Sequence, residues 1–198
     1  MHLLALLSFP GYILVYGVLL LATGRPRPKK DLCSGRLTSD PPAVCMAQIL
    51  SMILWIIGMM TLKNKPTDDW VLIRFLGLAF IVSGLCLSVC AKVALGRRGW
   101  VGGIGIYKNH KLVTTGPYRY IRHPMYFGML VSGIGIGMTA FSVWYLLAGV
   151  VLGVGFMSRI GGEEGILYSR IVSYRGYMTK TGRLLPRIRQ GSPPATRS

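Results

Sequence analysis

Between Gly116 and Gly128 the chain reads Gly-Pro-Tyr-Arg-Tyr-Ile-Arg-His-Pro-Met-Tyr-Phe-Gly, a turn followed by tyrosines, arginines and a histidine at the start of a long apolar stretch. Gly116-Pro117 is a turn signal, and Pro124 suits the first turn of a helix, where a missing N–H costs little; His123 then falls near the helix N-cap. Unpaired N–H groups and the positive helix end favour an anion there, and Arg119 and Arg122 add charge of the same sign, so a carboxylate of a cofactor or substrate would be well held. The same residues also fit an interfacial belt, in which Tyr118, Tyr120, Tyr126 and the arginines anchor a helix among lipid headgroups.

Further along, Glu163 and Glu164 stand side by side, the only glutamates in the chain. Gly161-Gly162 is expected to end one helix, after which the pair would open a new cytoplasmic helix, the end at which carboxylates are favoured. There they either neutralise Arg159 or Arg170, or meet a ligand that carries an ammonium or sulfonium. The glycine-rich run from Gly96 to Gly105 contains a Gly-x-Gly at Gly103 and Gly105; with no strand before it, a flexible loop is the default and a nucleotide site the alternative. Tyr174, Tyr177, Lys180 and Arg183 precede Pro186 on a short amphipathic helix, placed to lie on a membrane surface and close the site from below.

The elements that position these residues are apolar. Hydrophobic residues make up 52% of the 198, charged residues 15%, and the mean hydropathy is +0.49, which is more apolar matter than one soluble core of this size uses. The net charge of +17 does not point to nucleic acid, because the basic residues fill gaps between apolar spans and form no stripe on a soluble domain. Leu3–Ala22, Cys45–Leu62 and Val71–Leu95 each match the thickness of a bilayer, with Arg74 and Lys92 near the ends of the third where long side chains snorkel. Met125–Met157 is 33 residues, about 50 Å of helix, too long for one crossing.

Charge decides how that stretch folds. Lysine and arginine number five from Arg25 to Arg36, seven from Lys92 to Arg122 and eight from Arg159 onward, while Lys63 and Lys65 are offset by Asp68 and Asp69. The three rich segments are therefore expected on the cytoplasmic side, which requires a helical hairpin turning near Thr139–Ser142. Gly133-x-x-x-Gly137 and Gly149-x-x-x-Gly153 would let its helices approach closely. The expected protein is all-α and integral to the membrane, with about five transmembrane helices, the last two a hairpin, and a cytoplasmic C-terminal amphipathic helix. Its organisation is three N-terminal helices over 1–95, a cofactor-binding catalytic half over 96–186 and a disordered tail over 187–198. The N-terminal apolar segment has no basic n-region and reads as a retained span. Cys33, Cys45, Cys86 and Cys90 show no C-x-x-C spacing, so ordinary packing is expected of them, with no metal site.

The run from Lys111 through Gly128, the Glu163-Glu164 pair followed by Leu167, Tyr174 and Tyr177, and the ending Arg183-Leu-Leu-Pro186 together resemble the catalytic half of the isoprenylcysteine carboxyl methyltransferase family and its relatives, the membrane phospholipid methyltransferases. The resemblance covers roughly Leu95 to Pro186, with the first three spans alike only in hydropathy. It implies S-adenosyl-L-methionine as methyl donor, held on the cytoplasmic side by His123, Tyr126, Glu163 and Glu164, with Tyr118 in the preceding turn and Gly103 and Gly105 as a weaker match. Where the family commonly has Phe-Gly after the glutamates, this chain has Ile171-Val172, and basic Arg170 and Arg175 replace acidic neighbours.

Methyl transfer from a sulfonium is an in-line displacement whose demands are alignment and exclusion of water. A carboxylate acceptor is already an anion and needs no general base; Arg122, Lys180 and Arg183 are the candidates to orient it. An amine acceptor would need a proton sink, which Glu163, Glu164 or His123 could supply. Carboxyl methylation of an isoprenylcysteine-like lipophilic substrate is the favoured expectation, followed by N-methylation of a phospholipid amine or S-methylation of a thiol, and then a non-catalytic membrane interaction protein. A sterol reductase would need more spans than 198 residues supply.

Overall fold

The computed structural model describes residues 42–61, 71–99 and 112–187. The expected first span Leu3–Ala22, the basic loop Arg25–Arg36 with Cys33, the loop holding Lys63 to Asp69, the Gly103/Gly105 segment and the tail from 188 lie outside the described residues. Within them are α1 (Pro42–Thr61), α2 (Val71–Gly99), a 3₁₀ turn (Gly116–Arg119), α3 (Pro124–Ala140), α4 (Val143–Arg170) and α5 (Val172–Lys180). No strand occurs among the described residues; a single parallel bridge joins Ile121 to Gly182.

The expected hairpin turn is present at Phe141-Ser142. Phe141 takes a left-handed conformation (φ 49) and its N–H donates to the carbonyls of Gly137 and Met138, which closes α3; Ser142 is extended and α4 starts one residue later. An αL residue after the last helical turn is a common stop, although glycine is the usual choice. Contacts of Gly137 with Leu146 and of Gly153 with Leu130 set the two helices antiparallel. That register carries the start of α3 back toward the far end of α4.

The tightest helix contact lies elsewhere. Gly77 and Gly84 on α2 abut Gly135, Thr139, Gly128 and Ser132 on α3, and a Cβ on Gly84 would stand 2.7 Å from the Ser132 amide nitrogen. Ser132 Oγ donates to the Ile81 carbonyl at 3.2 Å and Ser88 Oγ to that of Met125 at 3.3 Å, which satisfies hydroxyls within the dry contact. The expectation of close approach through paired glycines four apart is corrected here. Gly137 and Gly153 do meet neighbours across the hairpin, but a Cβ on Gly133 or Gly149 would meet nothing within 4 Å. Lys92 does not snorkel outward: it is 4% exposed, one turn beyond the buried Ser88 on the side of α2 that faces α3.

On the other flank of the hairpin α1 packs against α4, with Gly58 on Trp144 and Tyr145, Gly155 on Ala47, and Trp55 edge-on to Tyr145 at 5.2 Å between ring centres. The long helices thus stand in the order α2, α3, α4, α1. Their outer faces are apolar: Met46, Leu72, Phe75, Val150 and Val154 are all more than 60% exposed. Two helices, Val71–Gly96 and Val143–Arg170, are long and apolar enough to cross a membrane, and Pro42–Gly58 and Pro124–Ala140 are shorter apolar helices. Cys45, Cys86 and Cys90 are unbridged and also face outward, so they do not supply the internal packing expected of them.

Candidate functional site

At the end of the bundle opposite the hairpin turn, the Arg-His-Pro-x-Tyr run and the glutamate pair come together. The 3₁₀ turn begins at Gly116 in a left-handed conformation (φ 59), with Pro117 fixing its first turn, and places Tyr118 inward. Then Ile121–His123 runs beside the segment that follows α5: Arg122 N–H donates to the Gly182 carbonyl at 2.9 Å and His123 N–H to that of Arg183 at 3.0 Å. His123 is the N-cap of α3, as the sequence indicates, and its side chain makes no capping hydrogen bond.

The glutamates do not open a new helix. α4 runs unbroken through Gly161-Gly162 to Arg170, and the break falls at Ile171, whose backbone is extended (φ −120, ψ 105). Two glycines lower helix propensity by roughly 1 kcal/mol each, but the pairing of the residues that follow them outweighs that cost. Ile171-Val172, the departure from the family pattern, is therefore the joint between α4 and α5.

Glu164 is 5% exposed. Its Oε1 accepts from Arg122 Nε at 2.7 Å and stands 3.3 Å from His123 Nε2, and its Oε2 accepts from Arg183 Nε at 2.7 Å. Arg122, itself 9% exposed, also donates through Nη1 to the carbonyls of Met178 and Thr181. One carboxylate therefore ties the start of α3 to the segment that follows α5. Glu163 faces another way: its Oε1 accepts from the Tyr126 hydroxyl at 2.6 Å and from Arg159 Nε at 3.3 Å, and its Oε2 lies 3.7 Å from His123 Nδ1. Tyr126 packs on Phe156 with ring centres 4.9 Å apart.

α5 closes this end with Tyr174 and Tyr177, both buried. Tyr177 donates to the Tyr118 carbonyl at 2.6 Å, and burial pushes its hydroxyl up to about 12 against the pull of Arg122. Burial, then the charge of Glu164, also raises Tyr174, so both phenols are neutral at physiological pH; the Tyr177 hydroxyl donates, whereas the buried Tyr174 hydroxyl makes no hydrogen bond. Removing the Tyr177 hydroxyl as Tyr177→Phe leaves a buried carbonyl unpaired and is expected to lower stability by about 1–2 kcal/mol, read as a lower thermal midpoint of the detergent-solubilised protein. Of the residues singled out in the sequence, His123, Tyr126, Glu163, Glu164, Arg122 and Arg183 meet in this cluster. Tyr118 joins through its backbone, Lys180 is exposed at the end of α5, and Gly103 and Gly105 lie outside the described residues. Sequence reasoning missed the Arg122–Glu164–Arg183 fork. Six acidic residues among 23 basic ones meant that each buried carboxylate would have cations competing for it, and that was the available signal.

A helical bundle with apolar outer faces and a cluster of carboxylate, guanidinium, imidazole and phenol at one end defines a class: a membrane-type helical protein with a polar site at one end of its bundle. Comparison with known proteins narrows it. The phospholipid methyltransferase family model matches residues 72–169, taking in α2 as well as the hairpin and ending before Tyr174. The match therefore starts earlier than Leu95 and includes the third apolar span. The protein-S-isoprenylcysteine O-methyltransferase of Schizosaccharomyces pombe is 40% identical over 83 residues, 41% of this chain and 35% of that protein. The nickel-cobalt-cadmium resistance protein NccN of Alcaligenes xylosoxydans xylosoxydans is 26% identical over 141 residues, 71% of this chain and 62% of that one. The chain thus spans less than two thirds of the length of either curated relative. A solved structure of the eukaryotic intramembrane Ras methyltransferase ICMT (isoprenylcysteine carboxyl methyltransferase) shares the fold, with a TM-score of 0.60 at 22% identity over 93% of this chain and 68% of that one. Residues 72–169, which hold the hairpin and the glutamate pair, thus match the phospholipid methyltransferase family model, and the chain is similar over part of its length to an isoprenylcysteine O-methyltransferase and in fold to the ICMT structure.

Proposed function

We propose that this chain is an integral membrane methyltransferase that uses S-adenosyl-L-methionine to methylate a lipophilic acceptor, favouring carboxyl methylation of an isoprenylcysteine-like substrate. The observation that carries the reading is the convergence of His123, Tyr126, Glu163 and Glu164 across the hairpin, within the residues the family model matches and at the rim of an apolar bundle. The donor set suits the group: carboxylates and aromatic rings for a cationic centre, and the positive helix start after His123 for a carboxylate. Tyr118 and the Gly103/Gly105 loop complete the proposed cofactor residues.

When bound, the donor supplies an electrophilic methyl group. The chain's own residues orient it and keep water away, and for a carboxylate acceptor no side chain has to remove a proton. Arg183, 54% exposed, and Lys180 are the cations an entering carboxylate would meet, while Arg122 acts from within the cluster. In this reading the active site faces the cytoplasm and the protein has about five spans, as the distribution of basic residues along the sequence supports. The family model's description, phospholipid methyltransferase, favours a phospholipid acceptor as a second reading; if its amine is methylated, Glu163, Glu164 or His123 would be the proton sink. S-methylation of a lipid thiol is a third acceptor chemistry open to the same site.

Membranes incubated with methyl-labelled S-adenosylmethionine separate these readings. Label that extracts into organic solvent and is released as methanol by mild alkali is the expected result. Label that stays through alkali would replace the carboxylate by the amine or thiol, and label confined to water-soluble molecules would remove the lipophilic acceptor.

A further inference from the structure

Adjacent residues on a helix point about 100° apart, and here that rotation gives two carboxylates different surroundings. Glu164 is 5% exposed and faces two guanidinium groups and an imidazole. A cation approaching it would meet Arg122 and Arg183 first. Glu163 is 24% exposed and faces one guanidinium, that of Arg159, with the phenol of Tyr126 at 2.6 Å and His123 Nδ1 at 3.7 Å. Beside it the Tyr126 ring stacks on Phe156 and stands 5.8 Å from the His123 ring. A partly exposed carboxylate next to a cluster of aromatic rings is a setting that suits a soft, alkylated cation.

We infer that the pair divides its labour: Glu163 recognises the sulfonium centre of the methyl donor, and Glu164 is a positioning residue that holds Arg122 and Arg183, and with them the 181–186 segment, against the start of α3. The inference rests on the S-adenosylmethionine reading above. Backbone bonds from Arg122 and His123 to Gly182 and Arg183 run alongside the Glu164 fork, so loss of the fork loosens the wall of the site as a whole and not its charge selectivity.

The test compares binding of S-adenosylmethionine with that of S-adenosylhomocysteine, which lacks the methyl group and the positive charge on sulfur, to the purified full chain in detergent. Glu163→Gln is expected to lower the affinity ratio of the two ligands about tenfold, the equivalent of one charge-assisted interaction. Glu164→Gln is expected to raise the Kd of both ligands by a similar factor and leave the ratio as in the parent, and Arg183→Gln to behave the same way. A change of Kd at unchanged stoichiometry separates positioning from a mere loss of folded protein. A ratio that holds in Glu163→Gln, or falls in Glu164→Gln, overturns the division. If Glu164→Gln does not fold, the ratios in Glu163→Gln and Arg183→Gln decide it alone. A parent that binds neither ligand removes the proposed function and the inference with it, whereas a parent that binds both with the roles reversed removes only the inference.

Discussion

Glu164→Ala lowers the stability of the folded chain by about 3–5 kcal/mol, because it leaves the buried Arg122 without its carboxylate. The geometry sets that magnitude. Arg122 and Glu164 are 9% and 5% exposed and 2.7 Å apart, so neither charge is screened by solvent as a surface pair would be. Arg122 keeps its bonds to the Met178 and Thr181 carbonyls, but carbonyls satisfy its N–H groups and not its charge. Glu163→Ala serves as the comparison: its pair with Arg159 is 18% and 24% exposed, and a loss of about 1 kcal/mol is expected. Thermal or denaturant unfolding of both variants in the same detergent checks the difference, and equal losses would show that burial of the fork does not govern its strength.

The sequence was most legible where one physical constraint acted alone. A stretch of 33 apolar residues cannot cross once, and basic flanks on both sides demand a return, so the hairpin and its turn near Phe141 followed from length and charge. Pro124 marked the start of α3 and left His123 as its cap for equally local reasons. Glycine was harder to read. At Gly161-Gly162 intrinsic propensity argued for a stop, yet tertiary pairing of Glu163 and Glu164 carried the helix on to Ile171. Propensity terms of about 1 kcal/mol yield to contacts of this kind. The fork itself joins residues 42 and 19 positions apart, and nothing local in a run of arginines says which one a glutamate will choose.

The glycines that matter for helix packing were also invisible to a search for spacing of four, since Gly77 and Gly84, like Gly128 and Gly135, recur at seven. A seven-residue recurrence keeps small residues on one seam of a helix, which is where α2 and α3 touch. Gly84→Ala is therefore expected to cost about 2–3 kcal/mol, at the upper end of overpacking losses, since the added methyl would lie 2.7 Å from the Ser132 amide nitrogen and against the Gly128 carbonyl. Backbone cannot rotate aside as a side chain can, so α2 and α3 must separate and weaken the Ser132 and Ser88 bonds that bridge them. Gly133→Ala and Gly149→Ala, where a Cβ meets nothing within 4 Å, should instead be neutral or stabilising by up to ~1 kcal/mol through helix propensity. Because α3 also carries His123 and Tyr126, splaying it from α2 should weaken donor binding in Gly84→Ala while the other two variants bind as the parent does. If all three substitutions unfold alike, the α2–α3 seam is not what fixes the position of the site.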